Sequence, residues 1–240
     1  MTMYPQNEAR RYELGYATDE RSVFNFFNTV YAWMAVGLAL TAVVAWLVSQ
    51  NQSLLQLIYG SGKGMMLVFV LGAFAIAWFV QTQVERISAA VATVLFLVYA
   101  AVIGALISGI FIIYNLQTIG AAFLLTAGTF GAMSVYGFVT KRDLTTIGSF
   151  LVMAAIGLFI ASIVNVFIAS NMLSWVITYA VLFVFIGITA YETQKLKEFA
   201  ATHGHNPNLA ARYAIVGSLV LYISFINIFM AILRILGSRR

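Results

Sequence analysis

Long apolar runs separated by short polar or charged segments organise the chain. Seven such runs cover roughly residues 24–49, 64–81, 87–108, 115–139, 146–169, 173–195 and 212–236. A helix of about 20 residues, rising 1.5 Å per residue, crosses a hydrocarbon core about 30 Å thick. Each run therefore predicts one membrane-spanning helix. Two prolines in 240 residues leave these helices largely unbroken. No fixed-period repeat or low-complexity stretch divides the chain. The pattern predicts a charged tail over residues 1–22 and one seven-helix transmembrane domain over residues 23–240.

Composition excludes a water-soluble alternative. The chain is 62% hydrophobic and 9% charged, whereas a soluble domain carries roughly 25% charged residues. So few charges cannot cover a water-facing globule, which argues against soluble enzymes and nucleic-acid modules and makes the lipid bilayer the expected solvent. The net charge of +5 does not gather in a patch. Its 13 Lys and Arg lie at the ends of the apolar runs, where they report topology rather than an anionic ligand.

Basic residues in short loops stay on the cytoplasmic side. With the N-terminus inside, Arg10, Arg11, Arg21, Arg86, Lys141, Arg142, Lys195, Lys197 and Arg212 fall in inner segments, and Lys63 alone in an outer loop. Arg234, Arg239 and Arg240 run against this order. Seven full crossings put them outside, and a re-entrant last helix would return them inside; seven crossings is the reading adopted. The first 22 residues carry charges of both signs, and the run behind them is too long for a signal-peptide core, so they read as a retained cytoplasmic tail.

Candidate chemistry is sparse. Cysteine is absent, which removes disulfides, thiolate nucleophiles and cysteine metal sites. No phosphate-binding glycine loop, zinc-binding His-Glu-x-x-His or Gly-x-Ser-x-Gly occurs. Ser224 has no histidine within a span to serve as its base, so an enzyme is not expected. His203 and His205 lack an acid at ligand spacing and read as a solvated loop.

An ionisable group at membrane depth costs several kcal/mol, on the order of 3 on insertion scales. Of eight acids, Glu192 alone reaches that depth, near the basic end of span six. It is either an interfacial acid paired with Lys195 one turn on, or a functional carboxylate. In span seven, Ser224 and Asn227 are three residues apart and share a helix face. With Glu192 they could hold a proton or a weakly bound cation, since oxygen ligands suit hard ions; the alternative is interhelical hydrogen bonding. Arg86 opens span three at the same level. It could pair with Glu192 and seal a pathway that protonation of Glu192 would open, or it is a topology anchor. Asn165 in span five could reach the same cavity or bridge helices. The small pairs Ala127 with Gly131 and Gly128 with Ala132 predict close helix contact in span four.

Three stretches then carry a resemblance: Thr140-Lys-Arg-Asp-Leu-Thr-Thr-Ile-Gly148, Tyr191-Glu-Thr-Gln194, and Leu221-Tyr-Ile-Ser-Phe-Ile-Asn-Ile-Phe229 leading to Leu233-Arg-Ile-Leu-Gly237. In order within seven spans, they resemble the transmembrane Bax inhibitor motif (Bax inhibitor-1) family in its bacterial form, from about residue 22 onward. The resemblance implies an all-α membrane fold of seven transmembrane helices, the last one central and surrounded by the other six, in the cell inner membrane with a cytoplasmic N-terminus. It also implies, for some members, a pH-dependent calcium leak in which an acid ending span six and an acid in span seven share a proton and meet an Arg near the inner surface.

On this chain the first acid falls on Glu192 and the Arg on Arg86, while Ser224 stands where the second acid is expected. The implied site is a weakened one: Glu192, with Ser224, Asn227, Arg86 and Asn165 as neighbours, sensing protons and binding calcium weakly if at all, with no other cofactor. The same resemblance offers a second function. Some bacterial members are associated with a membrane-bound AAA protease and membrane stress and quality control, for which the charged tail is the natural handle.

Overall fold

A computed structural model of the chain describes residues 6–60, 62–203 and 206–237, with residues 6–20 and 63 described by their backbone alone. Seven long helices follow one another: α1 (Gln6–Ser49), α2 (Lys63–Thr82), α3 (Ala89–Ile107), α4 (Leu116–Val139), α5 (Thr145–Ile168), α6 (Asn171–His203) and α7 (Pro207–Leu236). Short helical turns at Gln52–Leu55, Gln56–Gly60 and Ile110–Ile113 fill the connections, and no strand occurs among the described residues. Each long helix contains a segment long and apolar enough to cross a membrane.

Side-chain caps set several of the starts. Ser88 Oγ accepts the Val91 amide at 3.2 Å, Asn115 Oδ1 accepts the Thr118 amide at 2.7 Å, and Asn206 Oδ1 accepts the Leu209 amide at 3.2 Å. Such caps satisfy backbone donors that a helix leaves unpaired in its first turn. Pro207 then stands at the start of α7, where its missing N–H costs nothing.

Two helices outrun their apolar stretches. α6 continues through Lys195, Lys197 and Glu198 to His203, because a helix leaving the hydrocarbon can carry charge without breaking its backbone ladder. α1 includes much of the charged tail; its 44 residues span about 66 Å, roughly twice the hydrocarbon thickness.

Contacts between helices fix the two ends of the bundle. Arg212 near the start of α7 donates to the Glu85 carbonyl in the α2–α3 turn at 3.0 Å. Near the far end of α7, Arg234 lies 5.3 Å from the ring centroid of Trp175, near the start of α6. The first end carries Arg21, Arg86, Lys141, Arg142, Lys195, Lys197 and Arg212 and is hereafter the basic end. At the opposite end the Trp175 ring accommodates the Arg234 cation by a cation–π contact. Arg239 and Arg240 lie outside the described residues.

α7 is the centre. Half of its apolar window is buried, against none of that of α5, and it packs on α1, α3, α4 and α6, with a lighter contact to α2. α5 completes the ring by leaning on α6. At mid-depth, the Tyr222 hydroxyl meets Thr41 Oγ1 at 2.6 Å, and Thr41 also lies 3.0 Å from the Ala100 carbonyl, so one polar node ties α7, α1 and α3. Phe96 and Tyr99 pack edge-on around the Tyr222 ring.

Close approach of α4 and α6 occurs at Gly137, where a side chain would collide with the Ala190 backbone carbonyl. The small pairs higher in α4 behave otherwise. A Cβ on Gly128 or Gly131 would meet nothing within 4 Å, which corrects the expectation of tight helix contact there. No neighbouring helix comes near enough to use the space.

Candidate polar cavity on the central helix

An unpaired hydroxyl in an apolar interior is costly, so helical Ser and Thr bond back to a carbonyl one turn earlier. Thr41, Thr126, Thr189, Thr193 and Ser218 all do this, at 2.6–2.9 Å. Among the described residues, Ser224 Oγ is a buried side-chain oxygen left without a hydrogen bond, and Ser134 Oγ has the Tyr31 phenol as its one polar side-chain neighbour. Each lines a different cavity.

Ser224 opens on a cavity of about 430 Å³ lined by α2, α3, α5, α6 and α7. Its walls are mostly aliphatic and aromatic; the polar lining is Gln81, Tyr99, Ser162, Glu192, Ser224 and Asn227. Glu192 is the one charged side chain among these. Between α2 and α5, Phe74 stacks on Phe159 with centroids 4.6 Å apart and planes 13° apart. The cavity extends from Gln81 and Glu192, toward the basic end, past Ser224 and Asn227 to Leu106 and Ile107 near the other end of α3.

The structure thus brings together Glu192, Ser224 and Asn227. Glu192 is half-buried, and Lys195, one turn on, is its Coulombic neighbour. Lys195 itself is exposed, with its ammonium 5.8 Å from the Tyr191 ring centroid. Asn227 Nδ2 donates to the Ile223 carbonyl at 2.8 Å, which holds the amide in place and keeps its oxygen as an acceptor. The remaining two expected neighbours lie elsewhere. Arg86 is exposed in the α2–α3 turn, outside the cavity lining, and makes no ion pair with Glu192. Asn165 lies toward the opposite end of α5, where its Oδ1 accepts the Ser170 amide at 3.2 Å and its carbonyl accepts the Ala169 amide at 2.8 Å. It closes the helix at Ala169, whose φ of 56° is left-handed.

Chemically, the cavity offers one carboxylate, two hydroxyls, a phenol and two amides. Calcium takes six to eight oxygens and favours several carboxylates. One carboxylate with scattered neutral oxygens fits passage or transient binding of a cation, and no group of three or more His, Cys, Asp or Glu able to hold a metal occurs among the described residues. His205 lies outside those residues, while His203 stacks on Phe199, centroids 5.2 Å apart.

Sequence reasoning missed Gln194. Its Oε1 accepts the Leu144 amide at 2.9 Å and its Nε2 donates to the Arg142 carbonyl at 2.8 Å. Beside it, Lys197 Nζ donates to the Phe138 carbonyl at 2.7 Å, satisfying the end of α4. Gly148 packs directly beneath the Tyr191 ring. The stretches 140–148 and 191–194, distant in sequence, are one structural unit that fixes the rotation of α6 and so the direction of Glu192.

These features define a seven-helix membrane bundle whose central helix presents a hydroxyl and an amide to a single carboxylate. The sequence matches the family described as inhibitor of apoptosis-promoting Bax1 over residues 23–240. The chain belongs to this Bax inhibitor-1 family. It is 42% identical over 216 residues to the inner membrane protein YbhL of Escherichia coli strain K12, covering 90% of this chain and 92% of that one. A Deinococcus radiodurans protein is 43% identical over 217 residues, with the same coverage of 90% and 92%. A Rickettsia prowazekii protein, RP147, is 35% identical over 223 residues, covering 93% of each chain.

Proposed function

We propose that the protein is a pH-sensitive cation leak, with calcium among its cargo, in which ionised Glu192 is the ligand that a passing cation meets. The observation that carries this reading is the convergence of Glu192, the unpartnered Ser224 hydroxyl and Asn227 on one cavity. Protonation neutralises the one carboxylate lining the cavity and removes the attraction for a cation. Tyr99 is the other ionisable lining group, and Lys195 is the charged neighbour on the same helix. Arg86, exposed and unpaired with Glu192, supports a role as anchor rather than as seal.

The basic end faces the cytoplasm in this reading, as the distribution of Lys and Arg favours, and the membrane is a bacterial inner membrane, as the name of the Escherichia coli relative supports. The test is calcium flux into liposomes holding the purified protein, scanned from about pH 5 to about pH 8. Flux that rises with pH and is lost in Glu192→Gln supports the reading. Equal profiles for wild type and variant overturn it.

A second reading, modulation of a membrane-bound AAA protease, is favoured by the length of α1, whose first turns run beyond the apolar window. Deleting residues 1–21 should then abolish co-purification with the protease while the bundle still folds. Normal co-purification of the truncated chain excludes a role for the tail.

A further inference from the structure

We propose that the groove between α1 and α4 binds one anionic phospholipid from the leaflet at the basic end, with an acyl chain in the groove and the phosphate against Arg21 and Lys197. The groove has a volume of about 1290 Å³ and is separate from the Glu192 cavity. Ala127, Gly131 and Ser134 are the small positions of α4 that line the groove, and a Cβ on Gly131 would meet nothing within 4 Å. Aromatic side chains, Phe27 and Phe130 among them, make its walls.

Charge and depth identify the occupant. Among the described residues the lining holds two cations and no acid, and both cations lie at the basic end: Arg21 opens the membrane-crossing part of α1, and Lys197 stands beside the end of α4. Lys197 is held there by the Phe138 carbonyl and by the face of the Phe138 ring, 4.9 Å from its centroid. An ammonium has three donors, so two remain for a phosphate. Ser134 lies five residues before the end of α4, about 7 Å further into the hydrocarbon. That is the level of a glycerol ester beneath its headgroup. Its hydroxyl is buried, and its one polar side-chain neighbour is the Tyr31 phenol on the opposite wall, which leaves it capacity for a further partner. An ester carbonyl would accept from it. A second copy docked through the same face by a two-fold axis would bring Arg21 and Lys197 of both chains together, which disfavours a dimer.

The site is independent of cation passage, because neither Glu192 nor Ser224 lines it. The test is native mass spectrometry of the full chain with dioleoyl phosphatidylglycerol and dioleoyl phosphatidylcholine at equal concentrations. Wild type is expected to retain phosphatidylglycerol preferentially. Arg21→Gln, at an exposed position, should lower that preference about fivefold, the effect of one cation near an anionic surface. Gly131→Leu should eliminate retention of both lipids, because it fills the groove where a Cβ meets nothing. Equal retention of the two lipids by wild type, or an unchanged preference in Arg21→Gln, overturns the proposal. So does complete displacement of phosphatidylglycerol by inorganic phosphate, which marks a bare anion site, or a concentration-dependent dimer that Gly131→Leu dissociates, which makes the groove a protein interface.

Discussion

Gln194 grips Leu144 and its loop from the neighbouring helix, accepting the Leu144 amide at 2.9 Å while donating to the Arg142 carbonyl at 2.8 Å. The side-chain amide satisfies one backbone donor and one backbone acceptor that the turn between α4 and α5 cannot pair within itself. Gln194→Leu, close in size, would leave the buried Leu144 amide without a partner and the Arg142 carbonyl, in an exposed loop, to solvent. Each unsatisfied buried group costs about 1–3 kcal/mol, so the variant should unfold at a lower temperature in detergent than wild type. A control at exposed Ser149, whose hydroxyl bonds only within α5, should show no comparable loss.

The Thr41–Tyr222 bond is the second cross-helix tie. Hydrogen bonds within membrane proteins average about 0.6 kcal/mol, because the competing states also find partners. Tyr222→Phe should therefore cost little more than that, and Thr41→Val a similar amount. The two changes together should cost less than their sum, since either one alone already breaks the 2.6 Å contact. Additive losses in a double-mutant cycle would show that the ring packing of Phe96 and Tyr99, and not the bond, holds the node.

Glycines along α4 provide a contrast within one helix. Gly137→Ala places a methyl against the Ala190 carbonyl, and overpacking of this kind costs about 1–3 kcal/mol. Gly128→Ala projects into open space and restricts the unfolded chain, so it should stabilise by about 0.4–1 kcal/mol. Thermal unfolding of the two variants should move in opposite directions.

This contrast also marks what a sequence can disclose. The seven apolar runs specify seven helices because lipid leaves the backbone few alternatives, and the polar punctuation located most boundaries to within a few residues. Glu192, Ser224 and Asn227 were legible because charge and amide are rare at that depth. What escaped was three-dimensional. Gly128, Gly131 and Gly137 are equally small in sequence, yet only Gly137 faces a neighbour. Arg86 and Asn165 were placed near Glu192 by level and polarity, but the turn geometry carries Arg86 outward and the end of α5 takes Asn165 to the opposite side. Gln194 carries no signal in the sequence, because an amide near a charged helix end has no distinctive spacing until its loop is seen.

Asp143 supplies a pH dependence outside the membrane. Hydrogen bonds from the Thr145 hydroxyl and amide hold its pKa below the ordinary carboxylate range, and its Oδ1 accepts the Thr145 amide at 2.8 Å. A folded-state pKa below the unfolded value, about 3.9, means the stabilisation is fully present above that value and is lost as pH falls through the folded pKa. Acidification below about pH 4 should lower the unfolding temperature of wild type. Asp143→Asn, which keeps a capping oxygen, should flatten part of that decline.

Ser224→Asp tests the cavity most directly. Ser224 is fully buried, and its hydroxyl has no partner that the substitution would strip away. An aspartate there faces the same cavity as Glu192. Two nearby carboxylates cannot both ionise as cheaply as one, so they titrate as a coupled pair in two separated steps. If ionised Glu192 is the ligand in the native protein, wild-type flux should rise through a single titration. Ser224→Asp should carry more calcium at the alkaline end, because a second carboxylate adds a ligand of the kind calcium prefers, and its flux profile should spread over a wider pH range. Glu192→Gln combined with Ser224→Asp should return a single step. A double variant that behaves like Ser224→Asp alone would mean that the two side chains do not share the cavity in the membrane.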